Sequence, residues 1–198
     1  MPPAIAAYIR LIEAVNYRIG RMAMYLIFVM VGILLWSSVS KTFFLPAFWT
    51  LEMAQFAMVA YYILGGPYAM QMGSNVRMDL FYGSWSPRTK AWVDAFTILF
   101  LAFYLGVLFY GGISSAAYSL GHWGNEPFAF FGSIVWGFLT GGPEGAGEII
   151  GRAERSPTAW RPYIWPIKLT ICLGLLLMIL QTLAEFFKDI ARIRGIDV

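Results

Sequence analysis

Histidine and cysteine each occur once in the 198 residues, as His122 and Cys172. A lone cysteine forbids an internal disulfide framework, and its place inside an apolar run makes it a small packing residue. A lone histidine forbids the bis-histidine haem ligation of a four-helix cytochrome or a respiratory anchor subunit. No His, Cys, Asp or Glu cluster has the spacing of metal ligands, and no nucleophile stands with a base beside it. The glycine-rich stretch GGPEGAGEIIG is no phosphate loop, because no Lys-Ser or Lys-Thr follows it and no strand precedes it. These absences point away from an enzyme and away from any bound cofactor or metal. Charge is scarce as well, at 13% of residues against about 25% in a soluble domain.

What fills the chain is apolar: 59% of residues are hydrophobic and the mean hydropathy is +0.65. Runs of about 20 apolar residues cross a hydrocarbon core of about 30 Å, and four such runs are present, at 22–44, 49–73, 91–120 and 163–187. The expected fold is all-α, an integral membrane four-helix bundle forming a single domain over residues 1–198. The first run starts too late, runs too long and lacks the small-residue pattern of a cleaved signal peptide, so it is expected to be retained.

The basic residues sit at the ends of these runs and not in a patch, which argues against nucleic acid as a partner. Nine of the 14 basic residues (Arg10, Arg18, Arg21, Arg77, Arg88, Lys90, Lys188, Arg192 and Arg194) fall on one side of the membrane if both termini share it. The positive-inside rule makes that side the cytoplasm. Ahead of the first run, Ile5, Tyr8, Ile12, Val15 and Ile19 recur at spacings of three and four while the arginines avoid that stripe. Residues 3–21 therefore read either as an amphipathic interfacial helix, turning at Gly20, or as a simple extension of the first span.

The second run opens with Trp49 and Glu52 and closes in a polar turn containing Arg77 and Asp79, where residues 76–85 read as a short interfacial helix. Asp94 follows near the start of the third run, and Lys168 near the start of the fourth. Charges in a membrane need a partner or a route to the interface, so Glu52 and Lys168 either pair or snorkel separately to the headgroups. Arg77, Asp79, Arg88, Lys90 and Asp94 form either an interfacial ion network or a solvated loop. The insertion at 121–161 contains an apolar run of 12, FAFFGSIVWGFL, too short to cross. It is expected to be a short extra interfacial helix on or dipping into the outer leaflet, followed by a mobile loop. The charges cluster near the two interfaces and leave the middle of the spans empty, a pattern of scaffold more than conduit. A self-contained small ion-coupled transporter or channel, with Glu52 and Asp94 as coupling sites, is the competing reading.

Trp49 followed three residues later by Glu52, Gly65 midway, and NVRMDL at the helix close resemble the small permease subunit of tripartite ATP-independent periplasmic (TRAP) transporters. The later ERSPTAWRPYIWPIKL, with Glu154, Ser156, Pro162 and Pro166, is similar to that family's lead into its last helix. Asn75 stands where the family often has histidine, and the 121–161 insertion is a second departure. The resemblance implies four membrane helices in the bacterial inner membrane with both termini cytoplasmic. It implies a non-catalytic scaffold role in sodium-coupled uptake of small organic acids. The implied partners are a large membrane permease subunit, which holds the substrate and sodium sites, a periplasmic substrate-binding protein and the phospholipid bilayer. Glu52, Arg77 and Asp79 are carried over as structural or interface residues. Trp49, Asp94 and Lys168 join them from the charge and aromatic pattern above. His122, Trp123, Glu144 and Glu148, in the insertion, either contact the docked binding protein or belong to a passive loop.

Overall fold

A computed structural model describes residues 2–73 and 85–195, apart from the side chains at positions 87 and 88. The short helix expected over 76–85 therefore lies almost wholly outside the described residues. A chain this apolar satisfies its amides within its own segments, and hence as helices, because hydrocarbon offers them no other partner. Among the described residues the helices are α1 (Pro3–Met24), α2 (Leu26–Phe43), α3 (Thr50–Gln71), α4 (Pro87–Ser119), α5 (Pro127–Ile149) and α6 (Trp165–Ile193). One isolated antiparallel bridge, between Arg155 and Tyr163, is the sole extended pairing among them.

Only Tyr25 separates α1 from α2, and its φ of −72° and ψ of −16° are right-handed helical. Gly20 makes no corner. It lies inside α1, where a Cβ would stand 2.3 Å from the Cβ of Tyr68, so the missing side chain is what admits α3. The buried face of α1 runs through Ile9, Ile12, Asn16, Gly20 and Ala23. That face is rotated by roughly 60° from the expected apolar stripe, at 3.6 residues per turn, because a polar and a glycine position turned out to be core.

Among the described residues three stretches are long and apolar enough to cross a membrane: Pro3–Phe43, Thr89–Ser119 and Trp165–Ile193. The second expected span is not among them. At 22 residues α3 has the length, but Glu52, Gln55, Gly65, Gly66, Pro67 and Gln71 dilute its hydropathy. Pro67 lies within the helix and is buried. The last helix runs beyond the apolar run's end at 187 to Ile193, and Ala184, Asp189 and Ala191 keep burying one face of it.

The long helices pack in a row. α2 lies on α3, α3 on α6 and α6 on α4, while no substantial contact of α2 with α4 closes the row into a ring. α6 is central because it can be approached on both sides. A Cβ on Gly174 would stand 2.8 Å from the Ile63 carbonyl oxygen of α3, and one on Gly112 of α4 would touch the Cys172 sulfur at 3.4 Å. α1 packs on α3 and α6. Tyr8 and Asn16, about 12 Å apart along α1 at 1.5 Å per residue, both reach the same turn of α6, at Leu180 and Gln181. α1 thus crosses α6 instead of running along it.

The insertion differs from its expected form. α5 runs through the glycine-rich stretch as well as the apolar run, with Gly142 (φ 65°, ψ −154°) breaking it just ahead of Pro143. The two limbs fold together at a glycine seam: a Cβ on Gly137 would stand 2.7 Å from the Gly145 carbonyl oxygen, and one on Gly145 would stand 2.5 Å from the Gly137 oxygen. Residues 151–161, expected as mobile, are pinned by backbone bonds to the end of α4, with Gly151 N donating to Leu120 O at 3.0 Å and Glu154 N to Ser119 O at 2.8 Å.

A methyl group at Gly174 has to push backbone aside, whereas one at Gly65 meets nothing within 4 Å. Overpacking of this kind costs about 1–3 kcal/mol. Thermal unfolding of the detergent-solubilised protein should show a lowered midpoint for Gly174→Ala and an unchanged one for Gly65→Ala.

Candidate functional site

The residue pattern 154–158 folds into a turn that fastens three helices at one end of the row. Arg155 bridges to Tyr163, Ser156 N donates to Pro162 O at 2.9 Å, and Arg161 N closes the turn onto Thr158 O at 3.2 Å. Arg161 takes a left-handed φ of 49°, and Pro162 follows it to fix the return. The Arg155 guanidinium lies over the Tyr163 ring, 4.3 Å from its centroid, and donates to its hydroxyl.

This turn reaches Glu52. The carboxylate is 6% exposed, near the N-terminus of α3. Its Oε1 accepts from Ser156 Oγ at 2.6 Å and from Thr158 Oγ1, while Oε2 is buried with no partner among the described residues. A carboxylate in the first turn of a helix is also favoured by the helix dipole. Two residues before Glu52, the buried Thr50 hydroxyl lies 2.9 Å from Ala47 O and 3.0 Å from Ser37 Oγ, tying α3 to α2. Trp49, the N-cap residue of α3, is exposed.

Lys168 is held by the same loop through a different residue. Its Nζ donates to Glu154 Oε2 at 2.7 Å and to Ser115 O at 3.2 Å on α4. The sequence leaves both pairing and separate snorkelling open for Glu52 and Lys168; in the structure each takes its own partner from residues 154–158. Hydroxyls hold one oxygen of Glu52 and an acid holds Lys168, and the loop couples α3, α4 and α6 where the ion pair would have joined only two of them.

At the opposite end of the row the structure brings together residues that the charge pattern did not single out. Asn16 Nδ2 donates to Gln181 Oε1 at 2.7 Å, with both side chains buried. Gln181 Nε2 donates to Glu185 Oε1 at 2.9 Å, and Lys188 Nζ donates to that same oxygen at 2.9 Å and pairs with Glu13 of α1. Tyr8 donates to Leu180 O at 2.9 Å. This chain of bonds clamps the crossing of α1 over α6. The signal that could have found it is Asn16 on an apolar face, four residues after Ile12 and four before Gly20. Asp94 is half-buried in the second turn of α4, Asp189 is buried and accepts from Arg192 at 2.8 Å, while Arg77 and Asp79 lie outside the described residues. The proposed network of Arg77, Asp79, Arg88, Lys90 and Asp94 lies largely outside them too.

Among the described residues no three His, Cys, Asp or Glu side chains gather as a metal site. His122 stacks on Phe130 at 4.4 Å, beside an open cavity of about 410 Å³ at the base of α5. The geometry on both ends is that of helices fastened to one another by polar contacts.

Helices of membrane-crossing length, held in a row by such contacts, define an all-helical integral membrane protein. The family model for tripartite ATP-independent periplasmic transporters, DctQ component, matches residues 30–136, more than half of the chain. The chain belongs to that family, the small permease subunits of TRAP transporters. No curated protein and no solved structure matches it. The matched region contains Glu52 and Asp94 but ends inside α5, so the loop that holds Glu52 and the whole of α6 lie beyond it.

Two substitutions test the fastening. Glu52→Gln keeps an acceptor for both hydroxyls and should be tolerated, whereas Glu52→Leu strands them and should cost about 1–3 kcal/mol, read as a lowered midpoint of thermal unfolding. A double-mutant cycle over Glu154 and Lys168 should give a coupling of up to about 1 kcal/mol, and the same cycle over Glu52 and Lys168 should give less.

Proposed function

We propose that this chain is the non-catalytic brace of a sodium-coupled TRAP transporter for small organic acids in a bacterial inner membrane. In this reading a large membrane permease subunit carries substrate and sodium, and a periplasmic binding protein delivers the substrate. The chain's own part is to hold the large subunit in the bilayer. The observation that carries the proposal is the open row: α2 and α4 sit at its edges with most of their apolar surface unburied, so the fold offers broad faces and encloses no path. Secondary transporters place their substrate sites near the bilayer midplane, and the central stretches of α2, α4 and α6 carry no charged residue.

The four helices α2, α3, α4 and α6 are taken to cross the membrane, with α1 lying across them at the cytoplasmic face. Arg10, Arg18 and Arg21 of α1 are exposed at the same end of the row as Arg192 and Arg194 of α6, which supports cytoplasmic termini. Glu52, Lys168, Trp49 and Asp94 then serve as structural residues near the two interfaces, and Arg77 and Asp79 are proposed to share that role. The competing reading, a self-contained carrier coupled through Glu52 and Asp94, has less support, since those carboxylates lie toward opposite ends of the row and Glu52 is occupied by the 154–158 turn.

Reconstitution separates the two. Vesicles holding this chain alone should show no sodium-driven uptake of any of a panel of small carboxylates. Uptake should appear only when the large permease and the binding protein are added, and transport by the chain alone would overturn the proposal.

A further inference from the structure

The α5 hairpin has two unlike surfaces. On its long limb the buried side is set by Phe130 and Gly137, Phe130 packed against Ala117 and Leu120 of the α4 end and Gly137 against the return limb. On the opposite side Phe128, Val135, Trp136 and Leu139 are exposed by 54%, 59%, 69% and 72%. At 3.6 residues per turn the four fall within about 100° of arc and make one apolar stripe. The return limb lies on the other side, against Gly137. It buries Ala146 and exposes Glu144 and Glu148, one turn apart. From Pro127 to Pro143 there is no charged residue.

In water such a stripe is a liability. What covers it is indicated by continuity with α4. Phe128, at one end of the stripe, packs on Phe109 and Tyr110 with ring centroids 6.5 and 6.1 Å apart. Those two residues lie about 14 Å before the end of α4 at 1.5 Å per residue, inside a stretch long and apolar enough to cross the membrane. The stripe therefore begins at a depth where α4 itself faces hydrocarbon. The glycine–proline turn followed at once by Glu144 keeps the tip from plunging inward, because a carboxylate there would be carried into the core.

We infer that the α5 hairpin lies flat in one leaflet, its Phe128, Val135, Trp136 and Leu139 stripe seated on lipid acyl chains and its acidic return limb turned to water. The Gly137–Gly145 seam holds the two layers together, so that a single two-layered hairpin spans the boundary between tails and headgroups. This inference concerns the bilayer and stands whether or not the brace reading is right.

The test is nitroxide labelling of the full chain, with Cys172→Ala as background, in vesicles of phosphatidylethanolamine and phosphatidylglycerol. Labels are placed by Leu139→Cys and Gly132→Cys on the stripe and by Glu148→Cys on the return limb. Gly132 is a second site on the same side, where an added Cβ meets nothing within 4 Å, so the measurement does not depend on the Leu139 variant alone. The stripe labels should collide with oxygen several-fold more often than with a water-soluble nickel chelate, and the Glu148 label should show the reverse. Stripe labels open to the nickel chelate would overturn the inference in favour of a water-exposed hairpin. Stripe labels shielded from both reagents would overturn it in favour of a protein partner or self-association.

Discussion

The close approach of α3 to α6 is the contact on which the remaining architecture hangs. At Gly174 the backbone of one helix meets the Ile63 carbonyl of the other with no room for a side chain. Between membrane helices there is little hydrophobic drive to associate, and small residues that let backbones meet supply dispersion in its place. With α3 and α6 joined, α2 has α3 to lie on, α4 has α6, and α1 can cross the pair. Polar contacts then fix both ends, the 154–158 turn at one and the Asn16–Gln181–Glu185–Lys188–Glu13 chain at the other. Dispersion holds the middle, where polar groups are costly, and hydrogen bonds hold the ends.

That division explains what the row can and cannot do. Among the described residues its middle has neither charged side chains nor an enclosing ring, and its edges are apolar helices few of whose residues are buried. Such a layer has the shape of a support. The DctQ family assignment places it within a multi-component transporter, and the brace reading follows from joining that assignment to the open row.

The sequence made the helices and the family legible because both rest on local signals: run length, capping prolines, and the Trp49, Glu52 and NVRMDL spacing. Partners across long separations were harder. Glu52 and Lys168 looked like mates because opposite charge is the one pairing rule visible in a string of letters. The donors to Glu52 are hydroxyls 104 and 106 positions away, and serine and threonine carry no such flag. Asn16 was passed over since a polar residue on an apolar stripe shifts the apparent face of the helix, and Gln181 gives no hint of being buried until α1 is laid across it. The glycines of the insertion read as mobility. At Gly137 and Gly145 they are a seam, which a sequence cannot distinguish from a linker when the two positions are only eight residues apart.

The central claim is that the open edges of this layer are a surface for the large permease subunit. Photo-crosslinking in native membranes tests it most directly, with a benzophenone amino acid replacing Leu35 or Trp36 on α2 and Phe100, Phe103 or Tyr104 on α4, all exposed in the isolated chain. The account predicts covalent products with the large permease from at least one of these two helices. Absence of any such product from every position on both would contradict it.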